Sequence, residues 1–297
     1  MKIKVLLSTY NGYDFVEDQI KSIYDQTFKN FELIVRDDGS EEEFREILRG
    51  YQEKYGFTLI EGENLGFLKS FMKLLEDAGD SELYAFADQD DIWLPDKLYR
   101  AAKWYTENLD ESIPQLFHGA YDNVDSDTKE RISTFYFSEN GYSFRRSITE
   151  NHYSGFAMVI NRKLRDMMLK GDVDNILYHD WWAGMIVKAF GQAYFDKKPT
   201  ALHRVHGDNI TTFNIKTRIK WLWESLTKEN DIKKRSMEFD ICFGDELTQV
   251  QKNQLSLFSN EKYSIKSALI KVFFPKRWRP ILSSEIVVRF LMLIGKI

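Results

Sequence analysis

Hydrophobic and polar positions along the first part of the chain predict strands and helices in turn. Short apolar runs, typical of buried strands, are separated by stretches in which apolar residues recur at helical spacing. The predicted strands are Ile3–Ser8, Phe31–Val35, Phe57–Ile60, Leu83–Asp88 and Gln115–Tyr121. The predicted helices are Tyr13–Thr27, Glu42–Tyr55, Gly66–Ala78 and Pro95–Asn108. This alternation predicts an α/β fold with a mostly parallel sheet and right-handed connections.

The rest of the chain has a less regular pattern, and residues 126–150 look irregular. The predicted elements after them are a strand at Tyr153–Ile160, a short helix at Asp180–Phe190 and two extended segments within Gln192–His206. From about Asn214 to the end the spacing is helical. We therefore predict an α/β domain over residues 1–214 and a helical C-terminal region over residues 215–297.

Composition narrows the class of protein. Of the 297 residues, 43% are hydrophobic and 15% aromatic, which is typical of a globular chain that buries a sizeable core. The one cysteine, Cys242, excludes an intramolecular disulfide and a zinc site built from cysteines, and it fits a reducing cytoplasm. Lys2 and Lys4 interrupt any apolar stretch at the start, so we expect no signal peptide. No run of about 18 uncharged apolar residues predicts a membrane span.

Charge is distributed unevenly along the chain. The formal net charge is −5, but the segment from Lys262 to the end carries +7, which leaves −12 for the remainder. An acidic body argues against general nucleic-acid binding. The basic segment ends in an apolar stretch, Ile281–Ile297, in which Glu285, Arg289 and Lys296 share one stripe of a helix. Two interpretations stay open: the apolar face packs onto the rest of the chain or another subunit, or it lies on an anionic membrane.

Three carboxylates, Asp88, Asp90 and Asp91, follow the predicted strand Leu83–Asp88. They therefore lie at the carboxyl edge of the sheet, where α/β folds bind their ligands. Clustered carboxylates raise each other's pKa unless a cation or hydrogen-bond donors compensate. Their oxygens suit Mg²⁺ or Mn²⁺, which usually also bind phosphate oxygens of a substrate. A solvated acidic turn is the alternative.

Two further polar clusters follow predicted strands, at Ser8–Gly12 and Arg36–Ser40. The first suits a tight turn beside a ligand. In the second, one aspartate could accept a hydrogen bond from the N–H of a pyrimidine base, although Asp-Asp-Gly-Ser is also a common turn signal. Because loops from successive strands meet at one edge of the sheet, we expect the three clusters to share one crevice.

Together the three clusters, in this order and spacing, resemble the nucleotide-sugar glycosyltransferases of family 2, which have the GT-A fold. The resemblance covers about residues 1–215. The strings most similar to the bacterial rhamnosyltransferases of surface-polysaccharide synthesis are Ala87–Trp93, His179–Trp182 and Arg204–Asn209. The resemblance implies a nucleotide-sugar half over about residues 1–125 and an acceptor half over about residues 126–214.

The resemblance also implies the residues that bind the donor. In the family, an acidic pair after the fourth strand binds a divalent metal, here Mg²⁺ or Mn²⁺, on the donor diphosphate; Asp88 and Asp90 match that pair. The other donor-binding residues in the matching motifs are Thr9, Tyr10, Asn11, Asp37, Asp38, Asn64 and Gly66. Which of the two adjacent aspartates meets the base stays open. Ser70 stands where the rhamnosyltransferase pattern has asparagine, which weakens the case for the turn at Asn64–Gly66.

Arg204 and His206 alternate along a predicted extended segment, so both side chains are expected on one face. A cation and an imidazole on one face suit a diphosphate, and His206 could also complete the metal shell. A surface strand with chance charges is the alternative. The remaining candidates His118, His152 and His203 have no such neighbours in the sequence and are predicted to be structural.

Asp180 matches the position of the family's general base, which takes a proton from the acceptor hydroxyl as that hydroxyl attacks the anomeric carbon. Asp180 also opens a predicted helix, so a capping role is the alternative. Trp181 and Trp182 offer aromatic faces for stacking on a sugar, although one of them is expected in the core. Gly155, in a segment similar to the family's acceptor side, is the third predicted acceptor-binding residue.

The resemblance implies a metal-dependent, inverting transfer of a sugar. L-Rhamnose from dTDP-L-rhamnose is the predicted donor, and a polysaccharide or lipid-linked glycan is the predicted acceptor. Another donor such as a UDP-hexose, or a non-catalytic module that binds sugar nucleotides, is the alternative. A glycoside hydrolase would instead need two carboxylates flanking one bond, and the glycine-rich, basic start of a sugar-nucleotide pyrophosphorylase is missing after Ile3–Ser8. We expect a cytoplasmic protein with peripheral attachment to the inner face of the plasma membrane.

Overall fold

The computed structural model describes residues 1–136, 142–205, 231–259 and 264–297. The chain divides into two compact units. The first consists of Met1–Glu139, Tyr153–Leu169 and Tyr178–Gly207. The second consists of Asn140–His152, Lys170–Leu177 and Asp208–Ile297. The predicted domain boundary at residues 214 and 215 lies outside the described residues.

The first unit is built on one sheet. Its strands are β1 (Ile3–Thr9), β2 (Phe31–Asp37), β3 (Thr58–Glu61), β4 (Leu83–Asp88), β5 (Ile92–Trp93), β6 (Gln115–Asp125), β7 (Arg131–Phe135), β8 (Met158–Asn161) and β9 (Gln192–Val205). They are ordered β3-β2-β1-β4-β8-β6-β9-β5, and β7 pairs with β6. β1 to β4 run parallel to one another, β9 runs parallel to β6, and β5, β7 and β8 run antiparallel to their neighbours. The predicted α/β fold with a largely parallel sheet is therefore confirmed.

Six helices belong to the first unit: α1 (Val16–Tyr24), α2 (Glu42–Tyr55), α3 (Phe67–Asp77), α4 (Lys97–Asn108), α6 (Arg162–Met168) and α8 (His179–Phe190). Five of them lie where the apolar spacing predicts helices, and α2 has the predicted bounds; α6 was not predicted. In β4, residues Leu83 to Ala87 are all buried, as expected for a strand covered on both faces. The register of β1 sets Ser8 beside Asp88 and Thr9 beside Asp37, so the loops after these strands begin side by side.

The structure corrects the sequence prediction in the middle of the chain. The stretch 126–150, predicted to be irregular, contains β7 and the helix α5 (Phe144–Thr149). The predicted strand Tyr153–Ile160 is instead a 3₁₀ turn, Gly155–Ala157, followed by β8. The two extended segments predicted within Gln192–His206 form one strand, β9, whose pairing with β6 shifts register near Ala120.

The second unit is helical. Its helices are α5, α7 (Val173–Ile176), α9 (Asp231–Phe243), α10 (Gln249–Ser259), α11 (Ile265–Val272) and α12 (Leu282–Leu293). Trp278, between α11 and α12, is fully buried, and its indole N–H donates to the carbonyl of Lys271 (2.9 Å). Among the described helices none has both the length and the apolar character needed to cross a membrane.

Candidate active site

The loops after β1 and β4 are joined through the side chain of Gln89. Its Oε1 accepts hydrogen bonds from Thr9 Oγ1 (2.7 Å) and from the backbone N–H of Tyr10 (2.9 Å). A Cβ at Gly12 would lie 2.6 Å from the same oxygen, so a larger residue there would displace the Gln89 side chain. Thr9 is buried, whereas the ring of Tyr10 is exposed. The two loops therefore form one connected rim, and Gln89 is a site residue that the sequence analysis did not single out.

The loop after β2 is bonded to the first loop through Asn11. The N–H of Asn11 donates to Ser40 Oγ (2.9 Å), and Asn11 Oδ1 accepts from the N–H of Glu41 (3.0 Å). Asn11 has a φ of 45°, in the left-handed region that asparagine tolerates better than most residues. The side chain of Asn11 therefore holds these two loops together. With the bonds of Gln89, all three predicted clusters are connected at one edge of the sheet.

Both carboxylate oxygens of Asp38 accept hydrogen bonds from residues at this edge of the sheet. Its two oxygens accept from the backbone N–H groups of Leu65 (3.0 Å) and Gly66 (2.8 Å), and the carboxylate also pairs with the buried guanidinium of Arg36. Gly66 has a φ of 80°, which favours glycine. Asp38 therefore fixes the turn at Asn64–Gly66 against the loop after β2, and Asn64 lies exposed at that turn.

Asp37 differs from Asp38 in having spare acceptor capacity. Its Oδ2 accepts from the N–H groups of Gly39 (3.2 Å) and Ser40 (3.1 Å) and from Nε of Arg45 (2.9 Å). Its Oδ1 is buried and accepts no hydrogen bond from the described part of the chain. A buried carboxylate oxygen without a donor is uncommon and invites one from a ligand. This contrast favours Asp37 over Asp38 as the aspartate available to a base.

Ser70, which stands where the rhamnosyltransferase pattern has asparagine, has a structural role. Its hydroxyl accepts from Nη1 of Arg36 (2.9 Å) and lies 2.6 Å from Oγ of Ser8. The side chain is fully buried. Ser70 thus links α3 to β1 and β2 beneath the loops, and a small hydroxyl serves that link.

The carboxylates of Asp88, Asp90 and Asp91 form a cluster at the end of β4. Each supplies an oxygen within 4.8 Å of the oxygens of the other two. Burial, together with the negative charges of Asp91 and Asp90, raises the pKa of Asp88 well above its usual value. Clustered carboxylate oxygens are the hard ligands that Mg²⁺ and Mn²⁺ prefer. The residues present therefore fit the predicted ion.

His203 on β9 is a partner of this cluster. Its Nδ1 lies 2.8 Å from Oδ1 of Asp91, and its ring stacks on Phe156 with centroids 4.9 Å apart. Although burial opposes it, the hydrogen bond and charge of Asp91 raise the pKa of His203 above its usual value. His203 was predicted to be structural, and the structure instead places it in contact with the acidic cluster. His118, by contrast, is structural as predicted: its Nε2 accepts from the N–H of Ser154 (3.0 Å).

A second cation near the cluster, Lys97, was not predicted. It is fully buried at the start of α4, donates to the carbonyl of Phe156, and lies 3.8 Å from the ring centroid of Trp93. Burial lowers the pKa of Lys97 to about 7, while the charges of Asp91 and Asp88 act in the opposite direction. A lysine in the first turn of a helix is normally exposed, so nothing in the spacing indicated this position.

Asp180 lies in the first turn of α8, close enough to the acidic cluster to affect it. Burial is the main cause of the raised pKa of Asp88, and the charge of Asp180 adds to it. The N-cap of α8 is Tyr178, so Asp180 does not cap the helix. Its Oδ1 accepts from the backbone N–H of Trp181 (2.7 Å). The predicted base therefore lies within electrostatic range of the predicted metal ligand Asp88.

The ring of His179 supports this turn from the core. It is buried among aromatic rings, with the centroids of Phe71 and Phe86 at 4.8 and 5.0 Å, and burial lowers its pKa to about 3. A Cβ at Gly155 would lie 2.4 Å from its Nε2. Gly155 is therefore required for packing, and being buried it offers no surface to an acceptor.

The two tryptophans after Asp180 have different environments. Trp182 is fully buried, and its indole N–H donates to the carbonyl of Met168 (3.1 Å). Trp182 is therefore the core member of the pair, and the prediction that it contacts the acceptor is corrected. Trp181 is only partly buried, so the expectation of an acceptor surface rests on it alone.

Arg204 on β9 is buried. Its Nη2 donates to Oδ2 of Asp18 on α1 (2.7 Å), and its guanidinium carbon lies 5.2 Å from the ring centroid of Phe15. Because Arg204 is buried, the alternative of a surface strand with chance charges is wrong. His206, predicted to face the same way, lies outside the described residues. The diphosphate contact of Arg204 stays a prediction.

Comparisons with known proteins point to one family. The family model described as glycosyl transferase family 2 matches residues 4–168. The dTDP-rhamnosyl transferase RfbG of Shigella flexneri is 28% identical over 232 residues, which cover 72% of this chain and 76% of that relative.

Solved structures resemble the chain at lower identity. The S. aureus TarS 1-349 structure has a TM-score of 0.61 at 16% identity and covers 100% of this chain and 81% of its own; the same fragment in complex with UDP-GlcNAc has a TM-score of 0.57 at 15% identity, with 100% and 90% covered. The mannosyltransferase PcManGT from Pyrobaculum calidifontis, in complex with GDP-Man and Mn²⁺, has a TM-score of 0.52 at 14% identity, with 99% and 85% covered. At these identities the likeness shows the fold alone, and it confirms the predicted GT-A fold.

Proposed function

Because the chain belongs to glycosyl transferase family 2, we propose that it moves a sugar from a nucleotide diphosphate donor to a hydroxyl of a glycan acceptor, with inversion at the anomeric carbon. The observation that carries the proposal is the proximity of two acidic sites, the cluster at Asp88–Asp91 and the side chain of Asp180. The cluster at Asp88–Asp91 brings three carboxylates within 4.8 Å of one another, and the charge of Asp180 adds to the effect of burial in raising the pKa of Asp88. The cluster can bind a metal ion together with the donor diphosphate, and Asp180 can accept a proton from the acceptor hydroxyl.

The nucleoside of the donor is proposed to bind at the loops after β1 and β2. Asp37 Oδ1 is the available acceptor for the N–H of a pyrimidine base, since the Asp38 oxygens already accept from Leu65 and Gly66. The exposed ring of Tyr10 offers a face on which the base can stack. Thr9 and Asn11 shape the pocket through the bonds that hold the loops together.

The metal is proposed to lie on Asp88 and Asp90, with His206 as a third ligand. Asp91 is already bonded to His203, so it orients the cluster. When bound, Mg²⁺ or Mn²⁺ would neutralise charge on the departing nucleoside diphosphate. Arg204 is proposed to add positive charge for the same diphosphate.

Asp180 is proposed as the general base. The acceptor oxygen forms a bond to the anomeric carbon while the bond from that carbon to the diphosphate oxygen breaks. The carboxylate of Asp180 takes the proton that the acceptor hydroxyl loses. Trp181 beside it is proposed as a wall for the acceptor sugar, because its ring is the one of the pair that is not fully buried.

The transferase domain is proposed to span residues 1–214, with the donor half at about 1–125 and the acceptor half at about 126–214. The similarity to the dTDP-rhamnosyl transferase of Shigella flexneri supports dTDP-L-rhamnose as donor. A UDP-hexose is the second candidate, because a TarS structure of similar fold holds UDP-GlcNAc. A surface-polysaccharide or lipid-linked precursor is the proposed acceptor, and peripheral contact with the inner face of the plasma membrane is the proposed location.

A panel of nucleotide sugars tests the donor proposal. We expect dTDP-L-rhamnose with Mn²⁺ to raise the melting temperature more than UDP-GlcNAc or GDP-mannose does, because a tight ligand stabilises the folded state by mass action. EDTA should abolish the shift, and Asp90→Ala should lose it while melting near the wild-type temperature without ligand. Equal rises in melting temperature for Asp90→Ala and the wild type would contradict the assignment of Asp90 as a metal ligand. No shift and no turnover with any donor would favour a non-catalytic module.

A further inference from the structure

The C-terminal helix α12 buries its charged stripe. Glu285 is 3% exposed, and its carboxylate accepts from Nε of Arg289 (2.6 Å) and from the backbone N–H of Arg279 (2.7 Å). Arg289 also donates to the carbonyls of Val272 and Phe274 (3.1 Å for the latter). These bonds satisfy both charges inside the second unit, where they tie α12 to the end of α11 and the segment that follows it.

The apolar residues that α12 does not bury form a second stripe on its outer face. Leu282, Ile286, Phe290 and Leu293 recur at helical spacing, and each is exposed, Ile286 by 60% and Phe290 by 52%. The helix also buries an apolar face, as an ordinary surface helix does, and the exposed stripe is additional to it. A helix that hides its ion pair and exposes leucine, isoleucine and phenylalanine presents a docking surface.

The neighbouring helix α11 extends this surface. Ile265, Leu269 and Phe273 follow one another at intervals of four residues, and all three are exposed, Phe273 by 76%. α11 and α12 pack against each other. We call α11 and α12, with the connection between them, the C-terminal helix pair.

The exposed charges of the C-terminal helix pair are all basic. Glu285 is the one acidic side chain between residues 264 and 297, and it is buried. Lys266, Lys276 and Arg277 are exposed. Arg277 lies in a segment fastened to α5, where Thr149 Oγ1 donates to the carbonyl of Trp278 (3.3 Å). The basic residues are therefore carried on a well-anchored part of the second unit.

We propose that the C-terminal helix pair docks on an anionic lipid bilayer, with its apolar stripes entering the interface and its basic residues contacting the headgroups. Apolar burial and attraction to anionic lipid are the two contributions that hold a surface helix on a membrane. A second copy of the chain is a poorer occupant, because pairing the two surfaces would bring basic residues against basic residues. This inference specifies the partner for the proposed membrane location, and it does not depend on the identity of the donor sugar.

Sedimentation of the full chain with vesicles tests the proposal. We expect the protein to pellet with vesicles of phosphatidylcholine and phosphatidylglycerol at low salt and to be released as salt rises, because screening weakens surface electrostatics. Replacing Ile286 and Phe290 together by serine should weaken binding by at least about tenfold. Lys276→Gln with Arg277→Gln should weaken binding to the anionic vesicles by about tenfold and leave the weak binding to pure phosphatidylcholine unchanged.

Ile241→Ser on α9 is the matched control, since Ile241 is an isoleucine outside the stripes that is even more exposed than Ile286. It should bind vesicles as the wild type does, and all variants should keep the wild-type melting temperature. The proposal is overturned if the wild type does not bind vesicles. It is also overturned if the stripe variant and the control bind them equally. So does light scattering that shows a dimer which Ile286→Ser with Phe290→Ser converts to a monomer. Because the readout needs no donor, its failure is separate from failure of the proposed transfer reaction.

Discussion

Replacing Gly155 by alanine tests whether the ring of His179 holds Asp180 in place. A Cβ at residue 155 would lie 2.4 Å from Nε2 and 2.9 Å from Cε1 of His179, where ordinary contacts are 3.4–4 Å. The ring cannot turn away freely, because the rings of Phe71 and Phe86 pack on it with centroids at 4.8 and 5.0 Å. The added methyl group must therefore push the first turn of α8.

The cost can be estimated from this geometry. Overpacking a filled core costs about 1–3 kcal/mol, and we expect Gly155→Ala near the upper end because the nearest atoms belong to a buried ring. His179→Ala alone leaves a cavity and should cost about 2–5 kcal/mol. In the double variant the new methyl group enters the vacated space, so its destabilisation should fall below the sum of the single effects by about 1–3 kcal/mol.

Urea unfolding of the four proteins measures this coupling, and initial rates measure its effect on the reaction. We expect Gly155→Ala to lower kcat and to leave the KM for the donor unchanged, since Asp180 follows His179 on the same turn and the donor loops lie on other elements. A Gly155→Ala protein with wild-type stability and wild-type kcat would refute the reasoning, as would strict additivity in the double variant.

Three further predictions concern single residues. Asp180→Asn should keep donor affinity and lower turnover by about 10²–10⁴, the contribution of a positioned base; calorimetry and initial rates check both parts. Asp38→Asn should cost about 3–5 kcal/mol in urea unfolding because it leaves the buried Arg36 unpaired, whereas Asp37→Asn should chiefly weaken binding of a pyrimidine nucleotide. For Lys97, the pKa of about 7 in the folded chain lies below the ordinary 10.5, so the unfolded chain binds more protons between these values and the unfolding free energy rises with pH by up to about 1.4 kcal/mol per unit. Lys97→Met should remove that contribution, and urea unfolding of both proteins at about pH 7.5 and about pH 9 measures the difference.

The first strands and helices were predictable because each carries its own signal. Leu83–Ala87 is a continuous apolar run, as a strand buried on both faces must be. Glu42–Tyr55 combines helical spacing with Gly56, whose φ of 80° ends the helix. Motifs at strand ends were predictable for the same reason, since the fold brings the ends of neighbouring parallel strands together.

Contacts between distant residues could not be predicted in this way. Asp91 and His203 are 112 positions apart, and only the pairing of β5 with β9 brings them together. The burial of Lys97 also depends on the carbonyl of Phe156, which lies on another element. Spacing alone gives no information about such pairs, because it describes one element at a time.

The C-terminal helix shows a further limit. Its spacing correctly grouped Glu285 with Arg289 on one stripe of α12, but spacing does not say which stripe faces the core. Glu285 is buried together with Val288, Leu291 and Met292, and a second apolar stripe of α12 faces solvent. The backbone carbonyls of Val272 and Phe274, which accept from Arg289, lie on other segments and could not be read from the spacing of α12.

The most direct test of the central claim is the stereochemistry of the product. With a nucleotide sugar that the protein turns over, NMR of the new glycosidic bond reports the configuration at the anomeric carbon. One displacement, with Asp180 taking the acceptor proton, predicts a product of inverted configuration. A product that retains the configuration of the donor would contradict the account, because it requires two displacements and a nucleophile that the proposed site does not use.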